Sequence, residues 1–533
     1  MKKHLLVSPK IDLIELIGNC LLEKSRELFN NLIVFPAKRP IHFLRKYLAG
    51  KLRSSFRSPV ILAIDEFVDY LYDLLGYSDV RINSLDAIAL LFELNREGGL
   101  INYPGGELTI DEFLPWGAKI LSDFEEIYIE AIGPEVIRSI DQIESEQLPA
   151  RIRERLLTFS QLYKSFYDYL IEHHYSTRSL RYRRVAESME KVDLEKFEQI
   201  FLAGFFMLTR SEEKIFKNIS QLKNSQLIFQ DGPGVDATIR SLNLAVEKIV
   251  SGNPQPVVSL YKAMDAHGQV FKLAEVISER KNFNQRDVVV LPVPDTLFPV
   301  IQHALGRIKG DYNISLGYPL YRTSIYSLIE TLRQLLNTKE GEKYSLAHYL
   351  KFVLHPYIKN IRLGKMSEPT RIIFHTIEEF YQNVPRRFIT LTEIENNEKL
   401  TDLCWNKLRD LFPGGPQKDI IINHLKEIHY HLIKNFENID SLEDFGNKLL
   451  NFLSFISLHS TANRHIYTAP FVETMIGAIY ELRQSFLKKV RFSKMESYFR
   501  LLRSYIRTLH HPFEGSPVQG LQVLGFLETR NIK

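Results

Sequence analysis

At 533 residues the chain is several times the roughly 150 residues of an average domain, which excludes a single small binding module. Its 45% hydrophobic, 25% charged and 11% aromatic residues, with 26 Gly and 23 Pro, exclude a disordered, collagenous or low-complexity chain. The 68 Lys and Arg against 64 Asp and Glu leave a formal net charge of +4, too little at this length to identify an anionic partner, so local charge must decide.

The two cysteines, Cys20 and Cys404, lie too far apart for a disulfide framework or zinc-ligand spacing, as expected of a reducing cytoplasm. The first apolar run, Leu5-Leu6-Val7, stops at Pro9, short of a signal-peptide core. No stretch approaches the ~18 apolar residues of a membrane span, so a cytoplasmic protein without membrane attachment is expected.

In chain order, Leu32-Ile33-Val34-Phe35 before Pro36 and Val60 to Ile64 after Pro59 read as strands. Helical periodicity then dominates roughly 70–190, with Leu85, Ile88, Leu91, Phe92 and Leu94 forming a stripe. Ile200 to Phe205 and Leu227-Ile228-Phe229 return to strand character, and Gly252-Asn253-Pro254-Gln255-Pro256 breaks periodicity as a linker. A second strand group comprises Val257 to Tyr261, Val288 to Leu291 and Leu521 to Leu527. Between its members lies a second helical stretch, roughly 325–510, with the stripe Ile325, Leu328, Ile329, Leu332 and Leu336. Continuous apolar runs suit strands buried on both faces of a parallel sheet. The pattern predicts an α/β protein with large all-α insertions: a first core at 1–75 and 195–250 interrupted by 76–194, and a second, incomplete core at 255–320 and 511–533 interrupted by 321–510. The strand at Leu521 to Leu527 is expected to pair with Val288 to Leu291 and to leave an unpaired edge or an uncovered apolar face.

Nucleotide hydrolysis needs a Gly-rich loop whose amides cradle phosphate, followed by Lys and Ser or Thr. After Leu5-Leu6-Val7 the chain instead reads Ser8-Pro9-Lys10-Ile11-Asp12, a cation without the cradle. Asp65-Glu66 follows an apolar run as a motor ATPase's acidic pair would, but without a phosphate loop it reads as a helix start. His424, Glu427 and His431 share a helical face but lack a recognised zinc spacing and read as a solvated rim. Glu212-Glu213-Lys214 sits in a polar helical pattern without the strand pair a metal-dependent nuclease needs. No catalytic, cofactor-binding or metal-binding residue is assigned.

Three basic stretches point towards nucleic acid. Pro36 to Arg57 holds Lys38, Arg39, Arg45, Lys46, Lys51, Arg53 and Arg57 and no acid, directly after a strand, where phosphate contacts form at the carboxyl edge of a sheet. Lys488 to Arg507 has seven cations and one acid. Arg178, Arg181, Arg183 and Arg184 are interleaved with Tyr175 and Tyr182.

Several phrases resemble the AddB/RecB-like family of bacterial double-strand-break repair proteins, in the helicase-like part of its nuclease subunit. They are Leu32 to Arg39 followed by Phe43-Leu44-Arg45, Leu114 to Phe124, Leu202 to Glu213, Asn313 to Leu320, His355-Pro356-Tyr357, and Gly520 to Arg530. The resemblance implies two RecA-like cores, each interrupted by a helical domain, forming a degenerate helicase. It implies DNA contacts, to a single strand or break end, at Lys38, Arg39, Arg45, Arg322, Thr529 and Arg530, and an ATP-driven helicase–nuclease partner subunit. Where an acidic pair would end the motor strand the chain has Gly204-Phe205, which argues against ATP binding. The family's PD-(D/E)XK nuclease, which would use Mg2+, is expected beyond Lys533, so this chain reads as truncated before it and without its own cofactor. The leading reading is a non-catalytic scaffold that binds DNA; the alternatives are a diverged ATP-hydrolysing helicase subunit and a helical protein-interaction platform that never touches DNA.

Overall fold

The computed structural model describes residues 4–98, 108–143, 150–250, 256–280, 282–308, 310–382, 387–411, 417–464, 468–513 and 515–529. The linker expected at 252–256 lies, up to Gln255, outside the described residues. The chain opens with β1 (His4–Val7), α1 (Leu13–Lys24), β2 (Asn31–Phe35), α2 (Arg39–Leu52), β3 (Val60–Ala63) and α3 (Ile64–Leu74). Helices α4 (Ser84–Gly98), α5 (Ile110–Ile129), α6 (Pro134–Ile143), α7 (Ala150–Glu172) and α8 (Arg178–Ser188) follow. The chain then returns through β4 (Gln199–Ala203), α9 (Arg210–Gln221), β5 (Ser225–Gln230), α10 (Val235–Ser241) and β6 (Val246–Ile249).

These strands form one six-stranded sheet in the order β3-β2-β4-β5-β1-β6, and every pairing is parallel. β2 is buried along its whole length because both faces are covered, which explains its unbroken apolar run. Ile17, Leu21, Ile41, Leu44 and Leu48 of α1 and α2 pack on one face, while Phe67, Leu71, Val185, Ile215 and Ile219 of α3, α8 and α9 pack on the other. Val235 and Ile239 of α10 join the second face, so the connections from β1 and from β5 leave on opposite faces, opening a crevice at the carboxyl edge beside β1.

The second sheet has three parallel strands, β7 (Val288–Leu291), β8 (Tyr312–Ser315) and β9 (Leu521–Gly525), in the order β8-β9-β7. Gln522 stands opposite Val288 on one side and Asn313 on the other. β9 is thus the central strand, and among the described residues the unpaired edges belong to β7 and β8. Val288 and Val290 stay 40% and 39% exposed, so β7 keeps one apolar face partly open. β9 ends at Gly525, and Phe526 and Leu527, expected in the strand, have already left it. Val257 to Tyr261 forms no strand; Val257 and Leu260 are 98% and 91% exposed. Strand propensity measures fit to a half-buried pleated surface, and this run meets none.

Helix α11 (Ala266–Ser278) precedes β7, and α12 (Leu297–His303) lies between β7 and β8. Between β8 and β9 the chain is mainly helical, and α13 (Ser324–Asn337), α14 (Leu442–His459), α15 (Thr468–Gln484) and α16 (Met495–Ile506) matter most below. The predicted stripes face inward: Leu85, Ile88 and Leu91 of α4 and Ile325, Leu328, Ile329, Leu332 and Leu336 of α13 are buried in one continuous core that also takes in β7 and β9. The two helical regions therefore bury apolar area against each other, and α5 packs on α16 with Asp111 facing Arg500 at 3.4 Å.

Candidate nucleic-acid interface

The turn after β1 shows what the crevice can bind. Ser8 donates its amide to Ile249 O at 3.0 Å, Ile11 donates to Ser8 O at 2.9 Å, and Pro9 has no N–H. Asp12 caps α1, its Oδ1 accepting from Ile14 N at 3.0 Å and Glu15 N at 3.2 Å. A carboxylate already holds the helix N-terminus, where a phosphate would otherwise be bound, and would repel one. Arg286, just before β7, faces the same acids, with Nη2 at 3.7 Å from Asp12 and 3.8 Å from Glu15. At the end of β4, Gly204 has φ +79° and Phe205 turns into the core against Phe216. No acid stands there.

Asp65 and Glu66 begin α3 as the helix-start reading requires. Glu66 Oε2 accepts from Ala63 N at 3.0 Å, and Asp65 accepts from Arg178 Nε and Tyr182 Oη, each at 2.7 Å.

The row after β2 divides. Helix α2 turns Ile41, Leu44 and Leu48 to the sheet and has no acid in its first turn, so Lys38 and Arg39 add to the positive end of its dipole. Lys38 Nζ lies 3.0 Å from Glu66 Oε1 yet stays 74% exposed. Arg39 reaches the second sheet, donating to Gln522 Oε1 and, at 3.5 Å, to Pro517 O. Burial pushes its pKa down to about 10 against the opposing pull of Glu528. Lys46 Nζ donates to Val518 O at 2.6 Å, whereas Arg45 is exposed. A cavity of about 440 Å³ lies between these elements, lined by Phe43, Tyr47 and Lys51 of α2, by Asp12 and Glu15, and by Arg286.

The fold thus brings Arg39 and Lys46 to β9 and the turn before it, while Lys38 stays beside Glu66 and Arg322 lies elsewhere. Arg322 Nη2 pairs with Asp295 Oδ2 at 2.8 Å, beyond β7. Thr529 Oγ1 donates to Phe526 O at 2.8 Å and closes the last helical turn, while Arg530 lies outside the described residues.

All four arginines of α8 are engaged within the chain. Arg178 pairs with Asp65 at 2.7 Å, Arg181 with Asp69 at 2.9 Å, Arg183 with Glu187 at 3.0 Å, and Arg184 with Asp79. Each guanidinium also lies over a tyrosine ring, respectively Tyr182, Tyr72, Tyr128 and Tyr77. Burial and a hydrogen bond to Asp79 push the Tyr72 phenol up to about 12. Arg178, Arg181 and Arg184 fasten α8 to α3 and the segment after it, and Arg183 lies against α5. Of the stretch from Lys488 to Arg507, Arg500 faces Asp111 and Glu112, and Arg503 Nε lies 3.1 Å from Glu330.

His424 is buried and hydrogen-bonded to Thr370 Oγ1 at 2.8 Å, and burial pushes its pKa down to about 4, so it is neutral. His431 stacks on Phe455 at 4.7 Å. Among the described residues no group of three or more His, Cys, Asp or Glu could hold a metal ion, and no helix is long and apolar enough to cross a membrane. No protein-family model matches the sequence, and no curated protein matches it.

Proposed function

We propose that the chain is a helicase-derived scaffold, two RecA-like cores that have lost their motor, which holds a DNA single strand or break end for an ATP-driven helicase–nuclease partner. One observation carries this reading: the turn between β1 and α1 lies at the crevice of a parallel sheet, where a motor would bind phosphate, and Asp12 fills it with a carboxylate. The second parallel sheet, with a long helical excursion between β8 and β9, agrees with it. DNA phosphates would meet the exposed cations Lys38 and Arg45 at the start of α2, while Arg39 and Lys46 tie the two sheets together.

Two measurements test this. Magnesium and ATP should produce neither turnover nor a rise in melting temperature; stabilisation near ~2.7 kcal/mol at ~100-fold a dissociation constant would reveal a nucleotide site instead. Replacing Lys38 and Arg45 by Ala should flatten the slope of log affinity for DNA against log salt by about 1.4 to 1.8, from ~0.7 to 0.9 per phosphate contact. Failure of the unaltered chain to bind DNA would favour the helical interaction platform.

A further inference from the structure

The turn between α15 and α16, residues 485–494, carries Lys488, Lys489, Arg491 and Lys494 and no acid. All four cations are exposed, and among the described residues none forms an ion pair. Their backbone is nevertheless held. The first amides of α14, Leu442 N and Glu443 N, donate to Val490 O at 2.8 Å and Lys488 O at 3.0 Å. Lys488 N and Val490 N close back on Ser485 O and Leu487 O, and Phe492 N donates to Tyr498 Oη at 3.1 Å. Leu487 and Ser485 are buried beneath the turn. Ordering this segment therefore adds little to the cost of binding.

Beside the cations, Phe486 is fixed at its amide by Asp86 Oδ1 at 2.8 Å, and its ring rests on Tyr175 with centroids 5.6 Å apart. Phe486 is still 49% exposed. Two acids border the turn, Asp86 at the Phe486 amide and the exposed Glu443, and among the described residues neither forms an ion pair with its cations.

We propose that this turn is a contact for single-stranded nucleic acid, separate from α2, with phosphates on Lys488, Lys489, Arg491 and Lys494 and an unstacked base on Phe486. Cations in a row answer a repeating backbone charge, and a fixed, half-exposed ring offers a stacking face that a paired duplex base cannot reach. The proposal shares nucleic acid as ligand with the function above but rests on none of its motor ancestry.

The test uses the full chain and fluorescently labelled oligo(dT), read by anisotropy over a salt series. Replacing the four cations by Ala should flatten the log–log slope by up to about 2.8, from ~0.7 per single-strand phosphate contact. Phe486→Ala should weaken binding roughly 5- to 150-fold with the slope unchanged, as for one stacked base. Photo-crosslinking of an iodouridine-substituted oligo(dT) to Phe486 of the unaltered chain checks the contact without any substitution. An unchanged slope in the fourfold variant overturns the proposal, and so does loss of binding to phosphatidylserine vesicles without loss of oligo(dT) binding. If that slope is unchanged while Lys38→Ala with Arg45→Ala flattens it, this inference falls and the α2 reading stands. If the unaltered chain ignores oligo(dT), both fall.

Discussion

Helix α8 and the α15–α16 turn each carry four cations, but the fold uses them oppositely. On α8, Arg178, Arg181 and Arg184 meet Asp65, Asp69 and Asp79 and lie on tyrosine rings, so their charge holds one helix to another. On the turn, Lys488, Lys489, Arg491 and Lys494 pair with no carboxylate among the described residues and are exposed. A cluster of cations is thus freest to act as a ligand surface where the fold pairs no acid with its side chains, and α2 lies between the two cases, with Arg39 engaged, Lys38 beside Glu66 yet exposed, and Arg45 exposed.

Arg184→Ala tests the contrast hardest. It strips the charge partner from Asp79, whose side chain is 4% exposed, and leaves a buried carboxylate with only Tyr72 and His174 beside it. Loss of one partner of a buried pair costs about 3 kcal/mol, measurable by denaturant unfolding. Lys489→Ala should leave the unfolding midpoint where it was. Equal effects for the two substitutions would erase the distinction.

A smaller effect is expected where α2 meets the second sheet. Gln522 Oε1 accepts from Arg39 and, at 2.8 Å, from Asn313 Nδ2. Gln522→Leu keeps the bulk but leaves a partly buried guanidinium short of an acceptor, at about 2 kcal/mol. Arg45→Ala should not change stability measurably. If Gln522→Leu is also silent, Arg39 is as free as Arg45 and belongs with the ligand surface.

The first sheet was legible because its strands are continuous apolar runs, the signature of burial on both faces. β6 and β8 were not: Val246-Glu247-Lys248-Ile249 is an edge strand with polar residues, and Tyr312-Asn313-Ile314-Ser315 alternates polar side chains with its apolar ones. Val257 to Tyr261 misled in the other direction, since propensity says nothing about whether a neighbouring strand is available. At the candidate site, the missing phosphate cradle was legible in Ser8-Pro9-Lys10, but the occupation of the α1 N-terminus by Asp12 needed the fold. The pairing of α8 left a faint trace: Asp65 and Asp69 share a face of α3 and Arg178 and Arg181 share a face of α8, yet only tertiary packing says that those faces meet.

The smallest expected effect is a pH window that one region has and the other lacks. Burial of the Asp65 carboxyl works to raise its pKa, but hydrogen bonds from Tyr182 and Arg178 and the charges of Arg178 and Arg81 outweigh it, and the net pKa lies below the ordinary aspartate value. With the folded pKa below the unfolded ~3.9, the unfolded chain binds more protons as pH falls, so the contribution is complete above about pH 5 and disappears as pH drops through the folded value. Asp65 is 54% exposed and Arg178 47%, so solvent screening holds this pair below about 1 kcal/mol. The stability difference between the unaltered chain and Asp65→Ala should therefore be constant from neutral pH to about pH 5 and shrink below it. For Lys489→Ala the same plot should be flat, because among the described residues no carboxylate pairs with that side chain. A flat plot for Asp65→Ala would mean that Arg178 is a free surface cation like those of the turn, and the count of cations available to nucleic acid would rise by one.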